Sequence, residues 1–353
     1  MQKSTCFQKQ ACVVIDAAAV KDKPFVNFRH IYYTLTQNKL KNMNAPICIF
    51  VYKREDTTRQ MLESLKRCPE CAESELYVFM DEARNDSEAK AVERVRDMID
   101  TLTGFKTIHP YPARMNKGMA QSIIDGVSTV LKEHESVIVL EDDLVVSADF
   151  LSFMNDCLQI YDRRKDIWSI SGYTPNLDIL KGKDQHGVFL VPRAQCWGWA
   201  TWRDRWETVD WEVSDYKTVL NSKKKREQFD RGGNDLFRTL EMERNDRIES
   251  WAVRWAYAAS RQDMWTVNPI SSKVQNIGLK SSNSHVGWHD ERHRVDLLGN
   301  NTTLDENIQP DDELVAAFKK HHDLGVISKI GYFMRLHNLG YDFIKGIMSK
   351  IRR

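Results

Sequence analysis

Residues 135–151, ESVIVLEDDLVVSADFL, combine a strand pattern with a cluster of negative charge. The apolar run at 137–140 is typical of a buried strand, and Glu141, Asp142 and Asp143 follow it directly. We call these three residues the acidic tip. Carboxylates packed together raise one another's pKa unless a cation neutralises them. The segment therefore predicts a buried strand whose carboxyl end binds a cation.

Apolar spacing upstream of the acidic tip alternates between the period of a strand and that of a helix. The predicted strands are 46–52, 75–81, 106–112 and 136–143, and the predicted helices are 56–68, 87–102 and 118–133. Such alternation indicates βαβ units, so we expect an α/β fold with a parallel sheet and helices on both faces. Ligands of these sheets bind at the carboxyl ends of the strands, where the strand order reverses.

Polar residues lie at the carboxyl ends of three of the four predicted strands. Arg54 lies just past the first strand, Asp81 is the last residue of the second and the acidic tip ends the fourth. Because the carboxyl ends of parallel strands share one sheet edge, we expect these groups to converge there. Side chains alternate between the faces of a strand, so Glu141 and Asp143 should point one way and Asp142 the other.

The composition limits the class of protein. A formal net charge of +1 gives no basic field for nucleic acid, and no apolar run reaches the roughly 18 residues of a membrane-spanning helix. The seven cysteines are scattered along the chain, which fits reduced thiols in a cytoplasm better than a disulfide framework. We therefore expect a cytoplasmic protein that does not bind nucleic acid.

Oxygen ligands at the acidic tip favour Mg²⁺ or Mn²⁺ over softer metals. These ions usually keep several waters and bind a substrate's phosphates, so an acidic sheet edge predicts a diphosphate ligand. Acidic clusters also end ordinary strands at a protein surface. The charge pattern alone leaves both interpretations open.

The segment VIVLEDDLVVSADFL resembles the metal-binding segment of the N-acetylglucosaminyltransferase I family. The similarity extends upstream to FVYKRED, VFMDEA and NKGMAQSI, and downstream to IWSISGY, CWGWATW and ESW, in the same order. It covers residues 45–287, and several bacterial sugar transferases share this pattern. The resemblance implies a GT-A fold, in which a nucleotide-sugar-binding α/β sheet is fused to an acceptor-binding half.

The same resemblance implies roles for the residues at the sheet edge. It makes Asp143 the direct ligand of a Mn²⁺ or Mg²⁺ ion, with Glu141 and Asp142 contacting the nucleotide-sugar. Arg54 and Asp81 match the nucleotide-binding positions after the first two strands. From residue type alone, a surface ion pair and a helix cap explain these two residues equally well.

Further donor contacts are expected from later segments. Asn116 and Lys117 enter a predicted helix, whose N-terminus favours a phosphate or a sugar hydroxyl. Trp199 belongs to a tryptophan-rich stretch that offers flat faces for a sugar ring, although tryptophans at this density also form cores. The resemblance places Ser284 against the donor phosphates and His285 at the metal ion.

Glu249 matches the family's catalytic acidic position, just before Trp251, where the family carries Asp. The resemblance implies that it is the base that deprotonates the acceptor hydroxyl. Asp246 and Asp235 are alternative bases. A role as a helix N-cap is open for each of the three carboxylates.

We expect three regions along the chain. They are an N-terminal extension (1–43), a GT-A domain (44–290) with a nucleotide-binding half (44–150) and an acceptor half (151–290), and a C-terminal extension (291–353). Residues 1–42 have weak periodicity. We expect either that the protein naturally starts at Met43 or that the preceding residues form a loose appendage.

The chain from about Val326 has a basic amphipathic pattern. Its apolar residues at helical spacing are Ile330, Met334, Tyr341, Ile344, Met348 and Ile351, and its basic residues are Lys329, Arg335, Lys345, Lys350, Arg352 and Arg353. A basic amphipathic helix can lie in an anionic membrane surface, which predicts peripheral contact with the inner face of the cell membrane. The alternative is a helix packed on its own domain.

These observations predict a metal-dependent, inverting glycosyltransferase of the hexosyltransferase type. Its donor would be a nucleotide-sugar, UDP-linked, and its acceptor a glycan or lipid-linked intermediate of cell-envelope polysaccharide synthesis. Two other classes remain open. A sugar-phosphate nucleotidyltransferase usually has a Gly-rich phosphate loop after the first strand, but FVYKREDTT contains no glycine. A non-catalytic carbohydrate-binding protein would keep the tryptophans without needing the acidic tip.

Overall fold

The computed structural model describes residues 44–278, 293–299, 301–337 and 339. These residues belong to a unit that begins at Asn44. The expectations for residues 1–43, for Ser284 and His285, and for most of the chain beyond 337 lie outside the described residues.

The strands and helices expected before the acidic tip are all present. The strands are β1 (Ile47–Val51), β2 (Glu75–Met80), β3 (Thr107–Pro112), β4 (Ser136–Glu141), β5 (Leu144–Val146), β6 (Ile167–Ser171), β7 (Val188–Val191), β8 (Trp199–Trp202), β9 (Trp265–Pro269) and β10 (Val274–Asn276). The helices are α1 (Glu55–Leu65), α2 (Asp86–Asp100), α3 (Met119–Leu131), α4 (Phe150–Ile160), α5 (Arg203–Trp206), α6 (Tyr216–Leu220), α7 (Lys223–Phe229), α8 (Leu236–Arg244), α9 (Trp251–Arg261), α10 (Asp312–His322) and α11 (Val326–Leu336).

Eight of these strands form one sheet in the order β3-β2-β1-β4-β8-β6-β9-β7. The first four, β3, β2, β1 and β4, are parallel, as the alternation of strands and helices predicts. Beyond β4 the sheet is mixed, because β8 runs antiparallel to both β4 and β6, and β7 runs antiparallel to β9. The fold is therefore α/β, with a parallel half and a mixed half.

The sheet buries both of its faces. Along β1, Ile47, Ile49 and Val51 belong to one buried cluster, and Cys48 and Phe50 belong to the other. Helices α1, α2 and α4 cover the first face, and helices α3, α8 and α9 cover the second. The side-chain period of two along a strand thus divides the core into two layers, which confirms the expectation of helices on both faces.

Helix α2 illustrates how the sequence specifies these elements. Its N-cap residue Asn85 accepts a hydrogen bond from the Ser87 backbone N–H at 3.1 Å. Val92, Val95 and Ile99 recur at spacings of three and four and are all buried, and Val95 and Ile99 belong to the cluster on the first face of the sheet. Capping and spacing together fix where the helix starts and which face it buries.

A second, two-stranded sheet lies next to the acidic tip. Strand β5 follows Asp143 directly and pairs antiparallel with β10, with Leu144 opposite Asn276 and Val146 opposite Val274. The pairing brings the chain around residue 277 to the carboxyl end of β4, because Asn276 ends β10.

None of the helices in the described residues is long and apolar enough to cross a membrane.

Candidate active site

The strand order reverses between β1 and β4. From β1 the chain proceeds outward through β2 and β3, then returns to pair β4 with the other side of β1. Open α/β sheets bind ligands in the crevice beyond the carboxyl ends of such strands. Arg54 follows β1 closely and the acidic tip lies at the end of β4, so both border this crevice.

The Arg54 guanidinium binds both aspartates of the acidic tip. Its Nη1 donates to Asp143 Oδ2 at 2.9 Å and its Nε donates to Asp142 Oδ2 at 3.2 Å, while Nη2 donates to Asp142 Oδ1. The prediction that Asp142 and Asp143 point to opposite sides is therefore wrong. Strand β4 ends at Glu141 and the chain turns at the two aspartates, so the alternation of a strand does not extend to them.

The acidic tip carries more negative charge than one guanidinium can neutralise. Burial raises the pKa of Asp142 to about 6, although the charge and hydrogen bonds of Arg54 act in the opposite direction. Burial also raises the pKa of Glu141 to about 8, and the neighbouring charges of Asp143 and Asp142 add to this increase. A further cation would stabilise the ionised form of all three carboxylates.

One oxygen of the acidic tip fits a metal ligand. Asp143 Oδ1 is buried and has no hydrogen-bond partner among the described residues. A buried carboxylate oxygen without a partner is unfavourable, and a cation relieves this penalty. The described residues contain no group of three or more His, Cys, Asp or Glu side chains arranged to hold a metal ion. Mg²⁺ and Mn²⁺ commonly use one or two carboxylates and complete their coordination with waters and substrate phosphates, so the site fits these ions.

The backbone after β10 encloses the Asp143 side chain. The Ile277 N–H donates to the Asp143 carbonyl oxygen at 2.9 Å. A Cβ atom added to Gly278 would lie 2.0 Å from Asp143 Oδ2, so only glycine leaves room for this carboxylate. In the sequence, Gly278 is only a lone glycine after a short strand.

Asp81 organises the entrance of helix α3. Its Oδ1 accepts from the Lys117 backbone N–H at 2.9 Å, and its Oδ2 accepts from the Gly118 N–H at 3.0 Å. Both N–H groups precede Met119, the first residue of α3, so Asp81 fixes the approach to the helix, and the helix itself has no side-chain cap among the described residues. The carboxylate thereby ties the carboxyl end of β2 to the start of α3 at the edge where the acidic tip lies.

The side chains of Asn116 and Lys117 have partners within the same region. The Asn116 Nδ2 donates to the Glu82 carbonyl oxygen, and the Lys117 ammonium pairs with Asp125 at 2.8 Å. Asn116 therefore fixes the loop, while the Lys117–Asp125 pair is solvent-exposed, and such pairs are weak. Lys117 can exchange this partner for an anionic ligand at small energetic cost.

Glu249 lies beside the entrance of α3. A Cβ atom added to Gly118, whose φ is +77°, would lie 3.2 Å from Glu249 Oε1. Ser250 caps helix α9 by accepting from the Val253 N–H, so the start of that helix positions Glu249. The exposed carboxylate thus lies close to the Asp81-bound loop.

The two alternative bases differ from Glu249 in their surroundings. Asp235 forms two hydrogen bonds with the Arg193 guanidinium, at 2.8 and 2.9 Å. Asp246 is exposed and adopts a left-handed backbone conformation with φ of 56°. The structure thus pairs Asp235 with a cation and leaves Asp246 and Glu249 exposed.

Trp199 lies in the core, contrary to the prediction that it stacks on a sugar. It is 1% exposed in strand β8, and its ring centroid lies 5.3 to 5.8 Å from those of Trp206, Trp251 and Trp255. β8 is an interior strand of the sheet, so helices cover its side chains. Trp197, two residues earlier, is half-buried, and its ring centroid lies 4.6 Å from that of Tyr173.

Cys196 is a neighbour of the acidic tip that the sequence did not reveal. Burial raises the pKa of its thiol to about 12, and the negative charges of Glu141 and Asp143 contribute to the increase. The thiol is thus held neutral beside the acidic tip.

A comparison with protein families finds no matching family model, and a comparison with curated proteins finds no match. Among solved structures, the chain is similar to S. aureus TarS, with a TM-score of 0.26, 19% identity and coverage of 36% of this chain and 21% of that chain. It is also similar to the mannosyltransferase PcManGT from Pyrobaculum calidifontis, in complex with GDP-Man and Mn²⁺, with a TM-score of 0.33, 12% identity and coverage of 65% and 81%. A third similarity is to glucosyl-3-phosphoglycerate synthase from Mycobacterium tuberculosis, in complex with Mn²⁺, UDP and glucosyl-3-phosphoglycerate, with a TM-score of 0.29, 10% identity and coverage of 52% and 64%.

The chain spans about a fifth of TarS and less than two thirds of the synthase. These TM-scores describe partial similarities, so the function of the candidate site is inferred from its own geometry.

Proposed function

We propose that this protein is a metal-dependent, inverting glycosyltransferase of GT-A architecture that uses a nucleotide-sugar donor. One observation carries the proposal. At the reversal of strand order, Arg54 meets a buried acidic tip in which Asp143 Oδ1 lacks a partner among the described residues. This combination suits a divalent ion and the diphosphate of a nucleotide at the same sheet edge.

The donor side of the site is assigned as follows. Asp143 would hold Mn²⁺ or Mg²⁺, which when bound neutralises negative charge on the leaving diphosphate. Arg54 and Lys117 supply cationic groups for the same diphosphate, and a guanidinium suits paired phosphate oxygens. Asp81 positions the loop that carries Lys117.

On the acceptor side, Glu249 is assigned as the general base. The acceptor hydroxyl oxygen attacks the anomeric carbon of the donor sugar, and the bond from that carbon to the diphosphate oxygen breaks. Glu249 takes the hydroxyl proton, and attack opposite the leaving group inverts the anomeric centre. Its exposed position beside Gly118 supports this role, because the base must reach both bound acceptor and solvent.

For the donor we propose a UDP-linked sugar, and for the acceptor a glycan or lipid-linked intermediate of cell-envelope polysaccharide synthesis. Helix α11 supports a membrane location for that acceptor. Val326, Ile330 and Phe333 are 75%, 55% and 55% exposed, and Lys329 and Arg335 lie on the same helix. An exposed apolar stripe with basic neighbours suits an anionic membrane surface, so the protein would contact the inner face of the cell membrane.

Calorimetric titration with UDP tests the metal-dependent site. Wild-type protein should bind UDP at least about tenfold more tightly with Mn²⁺ than without it, because an ion held by Asp143 would neutralise negative charge on the diphosphate. Asp143→Ala should abolish that increment. Asp178→Ala removes an exposed carboxylate elsewhere and should leave the increment unchanged.

A panel of sugar nucleotides then distinguishes the classes of function. A glycosyltransferase should slowly hydrolyse one donor in the presence of Mn²⁺ and release a nucleoside diphosphate. Release of pyrophosphate from a nucleoside triphosphate and a sugar phosphate would instead identify a nucleotidyltransferase. Binding of glycans without UDP binding would identify a carbohydrate-binding protein, and either of these results would refute the proposal.

A further inference from the structure

Arg54 uses three of the four carboxylate oxygens of Asp142 and Asp143. Its guanidinium contacts both oxygens of Asp142 and Oδ2 of Asp143. The fourth oxygen, Asp143 Oδ1, is buried and lacks a hydrogen-bond partner among the described residues. The guanidinium is thus the cation that this structure places at the acidic tip.

The backbone of Arg54 is fixed while its side chain reaches across the crevice. The Arg54 carbonyl oxygen accepts from the Thr58 N–H at 3.0 Å and from the Thr58 Oγ1 at 2.7 Å, which anchors it at the start of α1. Its side chain is 30% exposed, whereas the side chains of Asp142 and Asp143 are 5% and 11% exposed. The Arg54 side chain can therefore move away from the two aspartates while the Arg54 backbone, β1 and α1 stay in place.

A divalent ion on Asp143 would share its carboxylate with this guanidinium. Two cations close together in a partly buried site repel each other, because solvent screens their charges poorly there. The metal ion and Arg54 therefore compete for the same negative charge. A diphosphate offers the guanidinium a second anion, to which it binds with paired hydrogen bonds.

Resting on the proposed function, we infer that Arg54 is a built-in competitor of the metal ion. In the nucleotide-free protein its guanidinium binds Asp142 and Asp143 and keeps the affinity for the metal ion low. When the donor binds, the guanidinium transfers to the diphosphate and frees both aspartates. Metal and nucleotide then enhance each other's binding, and thermodynamic linkage requires the two enhancements to be equal.

If Arg54 had a purely structural role, removing its side chain would change the metal affinity in the opposite direction. If the guanidinium only held the aspartates in the shape that the metal ion needs, removing it would weaken metal binding. If it competes with the ion, removing its charge strengthens metal binding in the absence of nucleotide. The sign of the change in metal affinity therefore separates the two roles.

The test measures Mn²⁺ binding by electron paramagnetic resonance of the free ion, without nucleotide. Arg54→Gln should lower the Kd for Mn²⁺ at least about tenfold relative to wild type. Arg59→Gln is the matched control, since Arg59 lies one turn further along α1, pairs with Glu55 and should leave the Kd unchanged. In wild type, saturating UDP should tighten Mn²⁺ binding strongly, and in Arg54→Gln this enhancement should shrink at least about fivefold.

Arg54→Lys provides a second variant in case the glutamine variant does not fold. Lysine keeps the positive charge but lacks the planar guanidinium that binds two aspartates at once. The Kd of the Arg54→Lys variant for Mn²⁺ should therefore be lower than that of wild type. Unchanged or weaker Mn²⁺ binding in a folded Arg54 variant overturns the inference.

The proposed function can fail separately from this inference. If neither wild type nor the Arg54 variants bind Mn²⁺ with or without UDP, both are overturned. If wild type shows UDP-dependent Mn²⁺ binding that Asp143→Ala abolishes, but Arg54→Gln does not tighten Mn²⁺ binding, only the competition is overturned.

Discussion

The side chains of Glu249 and Asp246 have no hydrogen bond or ion pair with any described residue. Asp81 and Asp235, by contrast, are bound to backbone N–H groups and to Arg193, respectively. A general base must be able to accept a proton from the acceptor without breaking such contacts. The lack of partners among the described residues suits either carboxylate to this role, and the position beside Gly118 favours Glu249.

Glu249→Gln is expected to lower kcat for sugar transfer by roughly 10²- to 10⁴-fold, because glutamine cannot accept the hydroxyl proton. UDP affinity in the presence of Mn²⁺ should stay within about twofold of wild type. Steady-state kinetics and calorimetry on the same preparation measure both quantities. Asp246→Asn is the control; a large loss of kcat in that variant, with little loss in Glu249→Gln, would transfer the role of base to Asp246.

The contact between Arg54 and the acidic tip shows where residue-scale prediction stops. Residue types at strand ends correctly indicated a basic and an acidic group at one sheet edge. The hydrogen bonds join Arg54 to Asp142 and Asp143 across sequence separations of 88 and 89 residues. Nothing local to either segment specifies that the guanidinium contacts both aspartates, since this depends on β1 and β4 being neighbours.

Among the secondary-structure elements, the β5–β10 pair has the most direct effect on the candidate site. It anchors the segment at Ile277 and Gly278 against Asp143, through the hydrogen bond from the Ile277 N–H and the close approach of Gly278. The short polar strand β10 has no marked pattern in the sequence, so its partner was not predictable before the fold was known.

Gly278→Ala should displace the Asp143 carboxylate, since the added Cβ would lie 2.0 Å from Oδ2. We expect the affinity for Mn²⁺ in the presence of UDP to fall at least about tenfold, because ligand position matters to a few tenths of an ångström. Gly182→Ala adds the same methyl group where no heavy atom lies within 4 Å, and it should bind Mn²⁺ normally. Equal affinities in the two variants would show that the backbone after β10 does not constrain Asp143.

A buried ion pair holds the start of β10 to helix α4. The Lys273 side chain is 1% exposed, and its ammonium donates to Asp149 Oδ2 at 2.5 Å. Lys273→Met should destabilise the protein by about 3–5 kcal/mol, because it leaves the Asp149 carboxylate without this partner. Urea unfolding measures this change in free energy.

Lys183→Met is the control for that prediction. Lys183 pairs with Asp311 at 3.4 Å, and both side chains are 40% exposed, so solvent screens the pair. The loss should be at most about 1 kcal/mol. Similar losses in the two lysine variants would mean that burial of Lys273 contributes little to its effect.

At the scale of the whole molecule, helix α11 bears on the proposed contact between the protein and a membrane. The helix buries none of its residues, and it contacts the rest of the described residues through hydrogen bonds such as that from Arg247 Nε to the Leu336 carbonyl oxygen. Its exposed apolar side chains and the basic residues from Lys329 onward support the proposed membrane contact. The expectation of an amphipathic pattern is met between 326 and 336.

Sedimentation with lipid vesicles tests this contact. Wild-type protein should bind vesicles containing anionic lipid and should dissociate as salt is raised, because each basic residue near the surface contributes about 1 kcal/mol. Phe333→Ser combined with Ile330→Ser should reduce binding at least about tenfold, since two apolar side chains no longer enter the membrane. Leu298→Ser changes an apolar side chain that is 49% exposed outside the helix and should bind as wild type.

Unchanged vesicle binding by the double variant would exclude α11 as the contact. Concentration-dependent dimerisation of wild type that the same double variant abolishes, without any vesicle binding, would instead assign the apolar stripe to a second copy of the chain.

The sequence by itself determined the alternation of strands and helices, the two-layered core and the acidic tip at the end of β4, because these features follow from periodicity within short segments. Tertiary structure alone decided that Trp199 is buried, that the two aspartates share one guanidinium and that Glu249 lies beside Gly118. Each of these depends on which strands and helices become neighbours. Which elements become neighbours depends on the burial of apolar surface over the whole chain, and no short segment of the sequence specifies that sum.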